Sequence, residues 1–186
     1  MPLARCLFDT PIGACGLVWG EAGVARVQLP EATTVDTARR LLSLHPSSVE
    51  RPAEGAARQV VDAIVASISG ERTELGWVAL DYAGCTPFQR RVYELSRAIP
   101  QGETRTYGQL ARALGDAAVA RAVGRALGQN PFAIVVPCHR VLAASGMGGF
   151  SAGGGVETKL RLLDLEGRVG ATLPLLVERR AAPGVS

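Results

Sequence analysis

The chain has 186 residues, enough for one large domain or two small ones, with 47% apolar and 20% charged residues. No apolar run approaches the ~20 residues of a membrane helix, and Arg5 and Asp9 interrupt any signal-peptide core. No membrane-spanning helix is therefore expected, nor a membrane partner, and a cytoplasmic location is expected. Charge is lopsided: residues 1–83 carry 7 Arg against 10 Asp and Glu, whereas residues 84–170 carry 11 Arg and Lys against 6. That imbalance suits a polyanionic partner for the second part.

In chain order, residues 3–8, 13–19 and 23–29 alternate as strands, separated by turns at Thr10-Pro11-Ile12-Gly13 and Gly20-Glu21-Ala22-Gly23. Helical spacing follows over residues 37–44 and 52–68, the second with Pro52 in its first turn and Gly70 as its stop. Residues 77–82 are predicted to form one more strand. The result is a small α/β domain over residues 1–83.

A second domain over residues 84–170 opens with Thr86-Pro87, an N-cap followed by proline at the first helical position. That helix should run to about Ala98. Thr106 can cap a short helix over 107–114, and Asp116 a second over 117–128, with Gly115 in the turn. The second helix is nearly bare of bulk (Ala117, Ala118, Ala120, Ala122, Gly124, Ala126, Gly128), with Arg121 and Arg125 as its long polar groups. A thin helix can press close to another surface, a nucleic acid or a neighbouring helix, while arginines reach phosphates or bases. Residues 132–136 are expected as a short buried strand, 145–155 as a glycine-rich loop, 156–166 as a last helix, and 171–186 as a flexible tail.

Four cysteines (Cys6, Cys15, Cys85, Cys138) lack the close repeated spacing of zinc or redox sites, so no metal and no cofactor are predicted. Cys138 stands apart, because Pro137 fixes the backbone before it and His139 and Arg140 follow. A base and a positive charge nearby favour thiolate over thiol. Neighbouring side chains on a strand face opposite ways, so proton transfer from Cys138 to His139 needs a turn or a bridging water. A carboxylate should orient the imidazole, and Glu157, Asp164 and Glu166 are all near enough along the chain. A cysteine hydrolase and a helix-turn-helix regulator both fit these residues so far.

The motifs taken together narrow the choice. Thr86-Pro87-Phe88-Gln89, Ile99-Pro100-Gln101-Gly102-Glu103-Thr104, Thr106-Tyr107-Gly108-Gln109-Leu110-Ala111, Arg121-Ala122-Val123-Gly124, Asn130-Pro131, Pro137-Cys138-His139-Arg140-Val141 and Leu162-Leu163-Asp164-Leu165-Glu166-Gly167 occur in this order. The stretch 86–167 resembles the O6-alkylguanine-DNA alkyltransferases, also called methylated-DNA–protein-cysteine methyltransferases. The resemblance implies an RNase H-like first domain and a winged-helix-like second domain with a helix-turn-helix. It implies a monomer that takes an alkyl group from O6-alkylguanine in double-stranded DNA, once and irreversibly.

By the same resemblance Cys138 is the alkyl acceptor, His139 its base through a water, and Glu166 the carboxylate of the relay. Asn130 is implied as a hinge, Tyr107 as the group that donates a hydrogen bond or a proton to N3 of the leaving guanine, and Arg121 as the finger replacing the flipped nucleotide. Thr106, Tyr107, Arg121, Ala122 and Arg125 are the expected DNA contacts, and Pro137, Phe150 and Ser151 the expected pocket residues. Relatives that only bind alkylated bases carry another residue at the cysteine position, whereas Cys138 is present here. The pocket loop departs from the family's usual Tyr-Ser/Ala-Gly-Gly, reading Phe150-Ser151-Ala152-Gly153-Gly154-Gly155.

Overall fold

The computed structural model describes residues 2–167; the expected tail, 171–186, lies outside them. Three strands, β1 (Ala4–Thr10), β2 (Gly13–Gly20) and β3 (Gly23–Gln28), form an antiparallel meander closed by the two predicted turns. A two-residue strand, β4 (Val49–Glu50), adds in parallel to β1, giving the order β3-β2-β1-β4. β4 carries no sequence signal, because its two residues are exposed and their pairing is purely backbone. Central β2 is buried from Ala14 to Val18, so both its faces are covered. Leu41 of α1 (Thr34–Leu44) lies so near Gly16 that a Cβ there would sit 2.8 Å from its methyl group.

Both N-terminal helices start elsewhere than predicted. Thr33 caps α1, its hydroxyl accepting the Asp36 N–H at 3.1 Å, so the helix begins three residues before Thr37. Helix α2 (Gly55–Ile68) starts after Pro52, with Glu54 as an N-cap that makes no side-chain bond. Its buried stripe, Val60, Val61, Ile64 and Ile68, follows the expected period.

Residues 77–82 are not a strand. Their contact with the sheet is a single bridge, Leu80 to Val24, flanked by the Val24 N–H to Ala79 O bond at 2.9 Å and the Asp81 N–H to Val24 O bond at 2.8 Å. The alternation is real, but no neighbour strand extends beside it to continue the ladder.

The remainder is mainly helical. Helix α3 (Pro87–Arg97) and helix α4 (Tyr107–Ala113) each begin in a complete capping box, Thr86 with Gln89 and Thr106 with Gln109. Beyond Gly115, Asp116 caps a 3-10 turn over Ala117–Val119, and only then does α5 (Ala120–Gly128) start, shorter than predicted. Helix α6 (Gly155–Leu165) ends the described chain. Strand β5 (Arg105–Thr106) pairs in parallel with β6 (Val141–Leu142), tying the start of α4 to the segment after Cys138.

One continuous core joins the sheet and the helices. Phe132 is wholly buried at their junction, with Tyr82 and Tyr93 packed edge-on at 5.4 and 6.0 Å between ring centroids. The Tyr93 hydroxyl donates to Ala126 O of α5 at 2.9 Å, so the junction also fixes that helix.

Candidate active site

The segment before Cys138 is buried as expected, but it is a bend rather than a strand. Ile134 adopts φ +70°, a conformation that costs a β-branched residue on the order of 1–3 kcal/mol. Asn130 holds the bend shut from within. Its Oδ1 accepts the Phe132 N–H and its Nδ2 donates to Val136 O, both at 2.9 Å. The chain then enters a 3-10 turn, Cys138–Arg140, so the strand rule of opposite faces does not govern Cys138 and His139.

His139 is buried, and its Nε2 meets Glu166 Oε1 at 2.8 Å. Arg140 grips the same carboxylate, Nε at 3.0 Å from Oε2 and Nη2 at 2.8 Å from Oε1, while its Nη1 donates to Ile99 O at 2.7 Å. The Gly102 N–H adds a longer bond to Oε2 at 3.3 Å. Burial would raise the Glu166 carboxyl, but the bonds and charges of His139 and Arg140 prevail and hold it at about 2. Of the three candidate carboxylates, Glu157 and Asp164 are exposed and Glu166 alone reaches the imidazole.

Burial lowers the proton affinity of His139, against the pull of Glu166. A neutral imidazole donating from Nε2 to the carboxylate keeps a lone pair on Nδ1, and that buried atom has no protein partner. This is the arrangement of a base held ready. Burial also raises the Cys138 thiol, with Asn130 and then the Lys159 charge opposing it.

Lys159 is the residue the sequence analysis missed. It is fully buried in α6, and its ammonium donates to Val141 O at 2.7 Å and Met147 O at 2.6 Å. Burial pulls it down to about 8, against the attraction of Cys138. Its signal was position: Lys159 lies seven residues before Glu166, two helical turns along the same face. An otherwise ordinary lysine in a helix gives no sign of burial on its own.

A cavity of about 460 Å³ opens over the sulfur, walled by Tyr107, Gly124, Leu127, Gly128, Cys138, Gly149, Phe150 and Ser151. That volume falls in the range of small-molecule sites. The Tyr107 ring lies between two glycines: a Cβ on Gly124 would be 3.9 Å from it, and one on Gly148 only 3.0 Å. The first glycine comes from the thin helix and the second from the loop, so small residues here make room for an aromatic ring.

The expected residues do not all meet in one place. Cys138, Tyr107, Phe150 and Ser151 share this cavity, with His139, Glu166 and Asn130 behind the thiol turn. Arg121 and Arg125 are exposed on α5, whose opposite side buries Val123, Ala126 and Leu127, and Ala122 is half-buried. Thr106 spends its hydroxyl on the α4 cap. Pro137 is buried away from this cavity and instead borders a separate one with Arg97, Ile99 and Arg140.

Comparison with known proteins gives concordant matches. Residues 87–168 match the family model described as 6-O-methylguanine DNA methyltransferase, DNA binding domain. The methylated-DNA–protein-cysteine methyltransferase of Mycobacterium leprae is 41% identical over 160 residues, 86% of this chain and 89% of that protein. The crystal structure of Mycobacterium tuberculosis O6-methylguanine methyltransferase superposes with a TM-score of 0.72 at 38% identity, covering 95% of this chain and 99% of that one. Mycobacterium tuberculosis OGT in complex with DNA superposes with a TM-score of 0.69 at 36% identity, covering 88% and 93%.

Proposed function

The chain belongs to the 6-O-methylguanine DNA methyltransferase family, and from that premise we propose how its own residues carry out the reaction. The protein is a methylated-DNA–protein-cysteine methyltransferase: it binds DNA and repairs methylated guanine by direct reversal. The observation that carries the residue assignment is the Cys138–His139–Glu166 arrangement. A thiol lines the cavity, the next residue has its Nε2 pinned by a carboxylate, and its Nδ1 is unclaimed.

The domain over 84–170 meets double-stranded DNA through a winged-helix-like helix-turn-helix made of α4 and α5, with Thr106, Tyr107, Arg121, Ala122 and Arg125 at the contact. The domain over 1–83 is RNase H-like, and one copy of the chain supplies every group the reaction needs. The damaged nucleotide rotates out of the duplex at a cost of a few kcal/mol, and Arg121 fills the space it leaves. The base enters between Tyr107 and Phe150, with the Ser151 backbone at O6.

Burial keeps Cys138 a thiol until substrate is in place. Its proton then passes through a water to His139 Nδ1, and Glu166 stabilises the imidazolium so formed. The thiolate attacks the alkyl carbon, the C–O6 bond breaks, and its electron pair stays on guanine. Tyr107 supplies the proton that neutralises the base at N3. A thioether is a much poorer leaving group than guanine, so each molecule reacts once.

Mass spectrometry after incubation with a duplex containing O6-methylguanine tests the assignment. One methyl per protein on Cys138 is expected, and none on the Cys138→Ala variant. Methyl acceptance by Cys138→Ala would sink it.

A further inference from the structure

The loop that carries Phe150 and Ser151 into the base cavity ends against the first part of the chain. A Cβ on Gly153 would lie 2.5 Å from Pro30 O, 3.2 Å from Glu31 Oε2 and 3.4 Å from Glu31 Cα. Non-bonded heavy atoms rest about 3.5 Å apart, so any side chain at this position would push the two backbones apart by roughly an ångström. The Gly153 backbone lies outside the left-handed region that Gly154 (φ +77°) and Gly155 (φ +55°) occupy. Its own dihedral angles would accept alanine, and only the closeness of Pro30 forbids one.

Both sides of this contact are held. The peptide joining Pro30 to Glu31 turns its carbonyl to Gly153 and gives its N–H to the buried Thr37 hydroxyl of α1 at 2.9 Å. That hydroxyl donates in turn to Thr33 O at 3.1 Å, and the Gln28 amide holds the Glu31 carboxylate at 3.1 Å. On the loop side, the Thr158 hydroxyl of α6 donates to Gly153 O at 2.6 Å. About one turn further along α6, Arg161 reaches Pro11 O at 2.6 Å. The loop is thus gripped between α6 and the chain leaving β3, with α1 bracing the far side.

We propose that Gly153 is a positioning residue for alkyl transfer. Its missing side chain lets the loop seat on the Pro30–Glu31 peptide, and that seat sets how deeply Phe150 and Ser151 reach towards the base. The inference rests on the alkyl-transfer reading above. It gives the first part of the chain, which supplies none of the reacting groups, a direct hold on the base cavity. The relay of His139 and Glu166 lies behind the thiol turn, so a displaced loop leaves the thiol chemistry itself intact.

Gly153→Ala tests the seat in single-turnover methyl transfer from a duplex containing O6-methylguanine. The rate constant at saturating duplex should fall about tenfold or more, the scale expected when a group that holds substrate moves by an ångström. Affinity for undamaged duplex and the melting temperature should match the native protein. Alkylation of Cys138 by iodoacetamide, which requires no base recognition, should be as fast or faster. In Thr37→Val the Pro30–Glu31 peptide loses its brace and can give way, so Gly153→Ala should slow methyl transfer less there than in the native background. Equal methyl transfer by native and Gly153→Ala protein overturns the seat. So does a loss shared by iodoacetamide alkylation, a loss that follows a lowered melting temperature, or strict additivity with Thr37→Val. If the native protein takes no methyl on Cys138, the alkyl-transfer reading itself is wrong, and the positioning role falls with it.

Discussion

Lys159 in α6 and Glu166 at the C-cap of that helix lie about two turns apart and flank the same thiol. Glu166 holds the His139–Arg140 turn, with contacts of 2.8 Å to each residue. Lys159 holds the carbonyls of Val141 and Met147 in the segment that follows. One helix face thus sets both the base that would take the Cys138 proton and the loop that roofs its cavity. Neither side chain needs to touch substrate to matter.

Replacing Glu166 by Gln should slow methyl transfer by roughly 10²-fold or more, the usual scale of general-base loss. It should also change the response to acid. The folded carboxyl lies at about 2, below the ~4.3 of an unfolded glutamate. Its stabilisation, on the order of 3 kcal/mol, is therefore complete above about pH 5 and lost as pH falls towards 2. Urea unfolding across that range should show the native protein losing its advantage over Glu166→Gln at the acid end. A constant gap between the two would contradict the charge assignment.

Lys159→Met should shift the Cys138 titration upwards, since the Lys159 charge lowers the thiol. The pH dependence of iodoacetamide alkylation, read at Cys138 by peptide mass, measures it. Slower alkylation at neutral pH is expected, together with slower methyl transfer. An unchanged titration would leave Lys159 only a loop anchor.

Asn130→Ala removes the partners of a Phe132 N–H and a Val136 carbonyl. Two backbone groups left unpaired should cost about 2–4 kcal/mol, enough to lower the melting temperature visibly. The strained Ile134 sits inside the same bend, so thiol reactivity should fall further than global stability implies. Loss of stability without loss of Cys138 reactivity would show that the bend does not aim the sulfur.

Arg121→Ala should weaken repair of duplex DNA by about tenfold or more while sparing reaction with free O6-methylguanine base, for which no unstacking is needed. Parallel single-turnover assays on the two substrates decide it. Equal losses would move Arg121 from the vacated stack to a general structural role.

Much of this protein is legible in its residues because the signals are local. Pro137-Cys138-His139-Arg140 marks the segment proposed to react, the capping residues Thr86 and Thr106 mark helix starts, and Gly13 and Gly23 mark hairpins, each through a few neighbours along the chain. What the sequence could not determine depends on residues brought together from afar. Residues 77–82 and 132–136 have strand-like patterns, yet one meets only a single bridge and the other closes on the Asn130 side chain. Glu166, at the C-cap of α6, contacts His139 while Glu157 and Asp164 face outward, an arrangement no spacing along the chain distinguishes. The role of Lys159 is invisible in the sequence because its burial belongs to the packed chain. Only the tertiary structure decides them, since a charge becomes perturbed or available only when folding removes it from water or leaves it without a partner.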